Sequence, residues 1–178
     1  MAGRAPTAAV GTVGGRPRFA VVVARFNEAI CEKLLTGALA VFETHGVAGD
    51  AVEVHRVPGS FELPQAALAL ARTGRYAGIV CAGVVIKGET PHFRYVAGAA
   101  AEGIARAALD TGVPMSFGVI VALTEEQAWA RAGGAVGNRG EEAALATLEM
   151  AGFLRGLKGM AAPRGSRRPR ADRRGRRR

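Results

Sequence analysis

The sequence predicts one α/β domain built as a three-layer α/β/α sandwich, with a four-stranded parallel sheet between two layers of helices. Three observations carry that expectation. From Arg18 onward, short β-branched or apolar runs alternate with longer amphipathic segments, the pattern of repeated strand and helix units. Two of the short runs are apolar without interruption, as strands of a parallel sheet are when helices cover both faces. A length of 178 residues suits a single core with a tail at each end.

The units can be read off in order. Phe19 to Ala24, Phe-Ala-Val-Val-Val-Ala, is the first strand. Asn27 then stands at the N-cap position of a helix whose Ile30, Leu34, Ala38 and Phe42 share one face, and Gly46 marks its end. Ala51 to Val57 alternates apolar and polar residues and is a second, less buried strand, broken by Pro58-Gly59 into another helix. Gly78 to Ile86 is apolar enough to be central, and an Ala-rich helix from Phe93 to Leu109 follows it. Met115 to Leu123 is the fourth strand. Thr124 caps a short helix with Gln127 three residues on, Gly134, Gly137 and Gly140 form a junction, and Glu141 to Leu157 is the last helix.

Three stretches follow: a flexible leader over residues 1–17, the domain over 18–158, and a disordered Arg-rich tail over 159–178. The leader mixes Ala, Gly, Thr and Pro with isolated Arg and lacks the continuous apolar centre of a secretory signal. The net charge of +9 is concentrated in the tail: Arg164 to Arg178 holds nine Arg and one Asp of the chain's 24 basic and 15 acidic residues, leaving 15 against 14 before it. A nearly neutral body argues against a nucleic-acid-binding domain. The tail itself is compatible with weak polyanion binding through counterion release, or with a solvated, self-repelling extension.

No stretch has the roughly 18 uninterrupted apolar residues of a membrane span, so a soluble protein without a membrane partner is expected. Cys31 and Cys81 fall inside a helical and a strand pattern, which suits a reducing cytoplasm better than a disulfide framework. His45, His55 and His92 share no ligand spacing with each other or with the cysteines, and no metal site is expected.

In parallel sheets of this kind ligands bind beyond the carboxyl ends of the strands, so the loops there are the candidates. After the first strand come Arg25, Phe26, Asn27 and Glu28; the Phe26 ring either staples the helix start or offers a stacking platform for a flat heterocycle. After the second come Ser60, Phe61 and Glu62, where first-turn amides and a carboxylate serve the helix terminus or bind a polyhydroxyl chain. After the third come Lys87, Gly88, Glu89, Thr90, Pro91, His92 and Phe93, the densest polar cluster of the body. His92 is the best acid-base candidate, since imidazole both accepts and donates a proton near neutrality.

Several other chemistries are excluded. Gly83 to Gly88 has the spacing of a phosphate-binding loop, but Glu89 follows where Lys is required. The Gly134, Gly137 and Gly140 series follows a helix rather than a strand and lacks the dinucleotide fingerprint. No Ser sits in a nucleophile elbow, and no acidic cluster ends a strand.

Five strings, Arg25-Phe26-Asn27, Pro58-Gly59-Ser60-Phe61-Glu62, Gly88-Glu89-Thr90-Pro91-His92-Phe93, Phe117-Gly118-Val119 and Gly137-Asn138-Arg139-Gly140, together resemble the lumazine synthase family in order and spacing over roughly Arg18 to Leu157. The resemblance implies a flavodoxin-like fold and a transferase of riboflavin biosynthesis. Its reaction condenses 5-amino-6-ribitylaminouracil with 3,4-dihydroxy-2-butanone 4-phosphate to 6,7-dimethyl-8-ribityllumazine, phosphate and water, without a cofactor. It further implies that Phe26 stacks on the pyrimidine, that Ser60 and Glu62 hold the ribityl chain, with Phe61 also in the pyrimidine and ribityl site, and that backbone at Val85 and Ile86 reads the ring edge. His92 would shuttle protons. Gly88, Glu89 and Thr90 would line the phosphate end, with Arg131 and Phe117 supplied by a neighbouring subunit of a homopentamer. Assemblies of the family also include decamers and sixty-subunit icosahedral capsids.

The chain departs from the family pattern in places. Ala135 stands where a lysine is usual, Arg94 where an acid is common, and Val121-Ala122 in place of a Thr pair; Arg139 keeps the charge of the usual lysine. These departures bear on the phosphate end and on the charge around His92. Two other readings remain at this stage: an archaeal-type riboflavin synthase, against which the Gly88 to Phe93 string argues, and a non-catalytic shell or scaffold that binds nucleic acid through its tail.

Overall fold

The computed structural model describes residues 16–161, with side chains as far as residue 157. The elements in order are β1 (Phe19–Ala24), α1 (Glu28–Thr44), β2 (Val52–Val57), α2 (Leu63–Arg72), β3 (Gly78–Ile86), α3 (His92–Thr111), β4 (Met115–Ala122), α4 (Glu125–Ala130), β5 (Ala132–Gly134), β6 (Gly137–Asn138) and α5 (Arg139–Ala161), with short 3-10 turns at Gly49–Ala51 and Ser60–Glu62. β1 to β4 form a parallel sheet in the order β2-β1-β3-β4. These are the first four positions of the 2-1-3-4-5 doubly wound order.

Alternation along β1 divides the core. Phe19, Val21 and Val23 face α1 and α5, while Ala20 and Val22 face α2 and α3. Every residue of β1 is buried, which is why its sequence shows no polar alternation. Phe19 and Phe42 anchor the first layer with ring centroids 5.0 Å apart. At the sheet edge β2 is half-exposed, as its mixed sequence requires.

At the β2 edge, Glu53 gathers Arg18, Arg75 and the Tyr76 hydroxyl, with Arg75 at 2.5 Å, and so ties the start of β1 to the segment after α2. The Tyr76 hydroxyl, then the Arg18 and Arg75 guanidiniums, hold the Glu53 carboxyl below its ordinary range, while burial and the same bond push Tyr76 up. A depressed carboxylate pKa stabilises the fold above its unfolded value of roughly 4.3, and that contribution is lost as pH falls through the folded pKa. Glu53→Gln is therefore expected to be less stable than the parent at neutral pH, with the difference closing under acid. Denaturant midpoints measured across pH check this; a gap that persists at low pH contradicts it.

Several boundaries differ from the sequence reading. β2 starts one residue later because Gly49–Ala51 forms a 3-10 turn, and β4 ends at Ala122. α3 takes in His92 and runs to Thr111, ending where Gly112 adopts φ 67 and donates to the Ala108 carbonyl. α5 begins at Arg139 and continues to Ala161, three residues into the predicted tail. The rest of that tail and residues 1–15 of the predicted leader lie outside the described residues. Thr124 caps α4 as expected, its hydroxyl accepting from the Gln127 amide at 3.3 Å. Asn27 does not cap α1 with its side chain; its backbone instead turns left-handed, φ 58 and ψ 49, a conformation Asn tolerates better than most residues.

The glycine junction is a short antiparallel pair, β5 with β6, which the sequence reading did not foresee. Gly133 and Gly137 hold φ 107 and 106 there, angles that a side chain would strain. Asn138 is the fastening point. Its side-chain Oδ1 accepts the Gly140 amide at 2.8 Å and caps α5, while its Nδ2 donates to the Lys33 carbonyl of α1 at 3.0 Å. Removing a cap and a buried tie together costs about 2 kcal/mol. Asn138→Ala should lose that amount in chemical denaturation, and Asn138→Asp, which keeps only the cap, should lose less. An Asp variant as stable as the parent would show that the tie to Lys33 contributes nothing.

Candidate functional site

The strand order reverses between β1 and β3, because the chain leaves β1 for β2 on one side and returns to β3 on the other. Their crossover helices, α1 and α2, accordingly lie on opposite faces. A crevice must open above the carboxyl ends of β1 and β3, and this topology places ligands there. The chain supplies that crevice with the segment after β1, the turn Ser60–Glu62, the end of β3 and the start of α3; the turn packs against β1, β3 and α3.

Phe26 leaves β1 with its amide bonded to the Pro58 carbonyl at 3.0 Å, after Arg25 has bonded Val57 at 2.8 Å. Its ring is 70% exposed, and that of Phe61 is 60% exposed. Neither ring contributes to the buried core. Glu62 is half-buried, and one carboxylate oxygen accepts the Gly59 amide at 2.9 Å. Ser60 is buried, and its hydroxyl donates to the Val84 carbonyl at 3.4 Å. Gly83 makes room for it, since a Cβ there would come within 2.6 Å of the Ser60 hydroxyl. Ser60 thus faces β3 with its side chain and the crevice only with its backbone.

Val85 and Ile86 are separated by the alternation of β3. The Ile79 and Lys87 amides bond the Pro114 and Ala122 carbonyls, so the odd residues between them turn their backbone toward β4. Val85 is committed in this way, opposite Val121. Ile86 turns its amide and carbonyl the other way, toward β1, which has already ended at Ala24.

Gly88, Glu89 and Thr90 are exposed and lead into His92, the exposed first residue of α3. Beside it the Arg94 guanidinium lies 5.8 Å over the Phe93 ring, a cation where the family pattern has an acid. Phe26, Phe61, Glu62, Ile86, Gly88, Glu89, Thr90 and His92 therefore all lie on segments that leave the carboxyl ends of β1, β2 and β3, on the side of the sheet where the crevice opens. One predicted site residue stands apart from it. Phe117, 36% exposed on the edge strand β4, pairs with Cys81, five positions before Ile86; at about 3.3 Å per residue that is about 16 Å along the sheet. Arg131 ends α4, its guanidinium donating to the Gln127 carbonyl at 3.1 Å.

Other chemistries find no support. Burial pushes the Cys31 thiol up to about 11 and the Cys81 thiol up to about 12, so neither is a thiolate at neutral pH. Among the described residues no group of three or more His, Cys, Asp or Glu could hold a metal ion, and no helix is long and apolar enough to cross a membrane. An open groove of about 730 Å³ between α1, α4 and the β5-β6 pair is lined by Lys33, Thr36 and Trp129 but by none of the predicted site residues.

The comparisons with known proteins show the family. The family model described as 6,7-dimethyl-8-ribityllumazine synthase matches residues 16–155. A curated protein of that name from Syntrophus aciditrophicus (strain SB) is 49% identical over 138 residues, covering 78% of this chain and 90% of the relative. The match spans the whole sheet, both helical layers and each loop that meets at the β1-β3 crevice. The chain belongs to the 6,7-dimethyl-8-ribityllumazine synthase family.

Proposed function

We propose that the protein condenses 5-amino-6-ribitylaminouracil with 3,4-dihydroxy-2-butanone 4-phosphate to 6,7-dimethyl-8-ribityllumazine, phosphate and water, as a transferase of riboflavin biosynthesis. The observation that carries this is the family match, joined to the position of Phe26, Glu62, Ile86 and His92 on segments leaving the carboxyl ends of β1, β2 and β3, beside the switch point. In this reading the pyrimidine stacks on Phe26 and bonds the Ile86 backbone. The ribityl chain lies against Phe61, the Ser60 backbone and the Glu62 carboxylate. The phosphate lies by Gly88, Glu89, Thr90 and the start of α3, where the positive end of the helix dipole favours an anion.

The chemistry asks for orientation and proton transfer rather than a strong nucleophile. The pyrimidine's amine attacks the ketone and water leaves; phosphate is then eliminated and the ring closes with loss of a second water. His92 is placed to take and return protons through these steps. Formation of the product's absorbance and fluorescence from the two purified substrates tests the function, and their absence overturns it.

The distance of Phe117 from the carboxyl ends of the strands supports a site completed by a neighbouring copy. The exposed apolar residues Tyr95 and Leu109 of α3, and Phe117 and Val121 of β4, supply surface for such a contact. A homopentamer is the smallest assembly we propose, and light scattering distinguishes it from a decamer or a sixty-subunit shell. The two cysteines are unpaired, which suits a cytoplasmic enzyme. Arg131 is then the phosphate-binding cation from the neighbour. Arg131→Ala should raise the KM for the phosphate substrate about tenfold with little change in kcat, as loss of uniform binding does; a fall in kcat of the same size contradicts this role.

A further inference from the structure

Phe26 is the most exposed ring of the crevice, and nothing packed around its side chain explains how it is aimed. Its backbone explains it. Asn27 is the one non-glycine with positive φ among the described residues, and the kink it makes takes Phe26 out of the sheet ladder. β1 pairs with β3 only as far as Val23, so the Phe26 carbonyl has no strand to bond. The thiol of Cys31, one turn into α1, donates to that carbonyl at 3.3 Å. Cys31 itself is 0% exposed and held in the core between sheet and helices, with its amide on the Asn27 carbonyl at 3.1 Å.

We infer that Cys31 is a positioning residue, which acts through the Phe26 backbone to fix the ring against a flat heteroaromatic substrate. The inference rests on the proposed function, because it assigns the pyrimidine to Phe26. Both backbone polar groups of Phe26 are held, its amide by the Pro58 carbonyl and its carbonyl by the Cys31 thiol. Only the second grip comes from a side chain and can be removed by mutation. Burial keeps the thiol protonated, so it remains a donor at neutral pH, although S–H is a weak one.

Cys81 provides the control. It is equally buried, on the neighbouring strand β3, packs against the α2/α3 layer, and its burial alone shifts its thiol. Cys31→Ala is expected to raise the KM for the pyrimidine substrate about fivefold, with kcat and the KM for the phosphate substrate within about twofold of the parent. Cys31→Ser restores a donor and should return the pyrimidine KM to within about twofold even if its thermal midpoint drops. Cys81→Ala should lose thermal stability without moving that KM. If Cys31→Ala does not fold, Cys31→Val and Cys31→Ser make the same comparison of no donor against donor.

An unchanged pyrimidine KM in the donor-free variant, or an equal rise in Cys81→Ala, overturns the positioning role. A parent protein that forms no lumazine overturns the proposed function and this role with it. A parent that turns over with a KM indifferent to Cys31 overturns this role alone.

Discussion

His92→Ala is expected to lower kcat by about a hundredfold, the lower end of what a positioned acid-base group contributes, while the KM of each substrate stays near that of the parent. The residue is exposed at the start of α3 and forms no side-chain hydrogen bond among the described residues, so its removal disturbs little packing. Activity should persist because stacking on Phe26, the Glu62 carboxylate and the Ile86 backbone still orient the reacting amine and ketone, and orientation supplies a large share of such rate enhancements. The measurement is steady-state turnover with each substrate varied in turn. A kcat equal to the parent's would remove His92 from the proton transfers. Loss of KM rather than kcat would make it a binding group.

Gly140→Ala should be the most damaging single substitution in the fold. A Cβ on Gly140 would lie 2.0 Å from the Leu34 carbonyl oxygen and 2.7 Å from its carbon, both backbone atoms of α1. A flexible side chain could move aside; a helix backbone cannot do so without separating α1 from α5. Overpacking of this kind costs about 3 kcal/mol or more, which for a domain of this size lowers the thermal midpoint by about 10 °C. The same substitution at Gly156, also in α5 but with open space around it, removes a poor helix former and should be neutral or stabilising. Equal melting temperatures for the two variants would contradict the close approach at Leu34.

The contrast between those glycines shows what can be read without coordinates. β1 and β3 were legible because strands covered on both faces admit only apolar side chains, so Phe19 to Ala24 and Gly78 to Ile86 announce themselves. Phe26 and His92 were legible as candidates because they lie in the loops that follow those runs, and Glu62 because it follows β2 past the Pro58-Gly59 break; the family pattern joined them. What escaped depends on contacts between distant segments. β5 and β6 are too short for any periodicity, and only their glycines hint at them. Asn27 has the identity of a helix cap, but the reversal at the end of β1 demands its backbone rather than its amide. The Ser60 hydroxyl reads as a ligand donor until Gly83 and Val84 are seen beneath it. Val85 and Ile86 are equivalent in a sequence and opposite in a sheet.

The tie between Asn138 and Lys33 spans 105 positions of the chain. On a ribosome, synthesis of Ala122 completes all four strands of the sheet and three of the helices that cover it, yet the face shared by α1 and α5 still lacks α5. The nascent domain then carries Ala143, Ala144 and Leu148 yet to come, and apolar side chains such as Val80 and Ile120 beneath that gap are closed over only when α5 arrives. A contact of such long range is closed late in folding, because the loop between its ends must be ordered first. Chains that stop before Asn138 are therefore expected to be sticky rather than merely inactive.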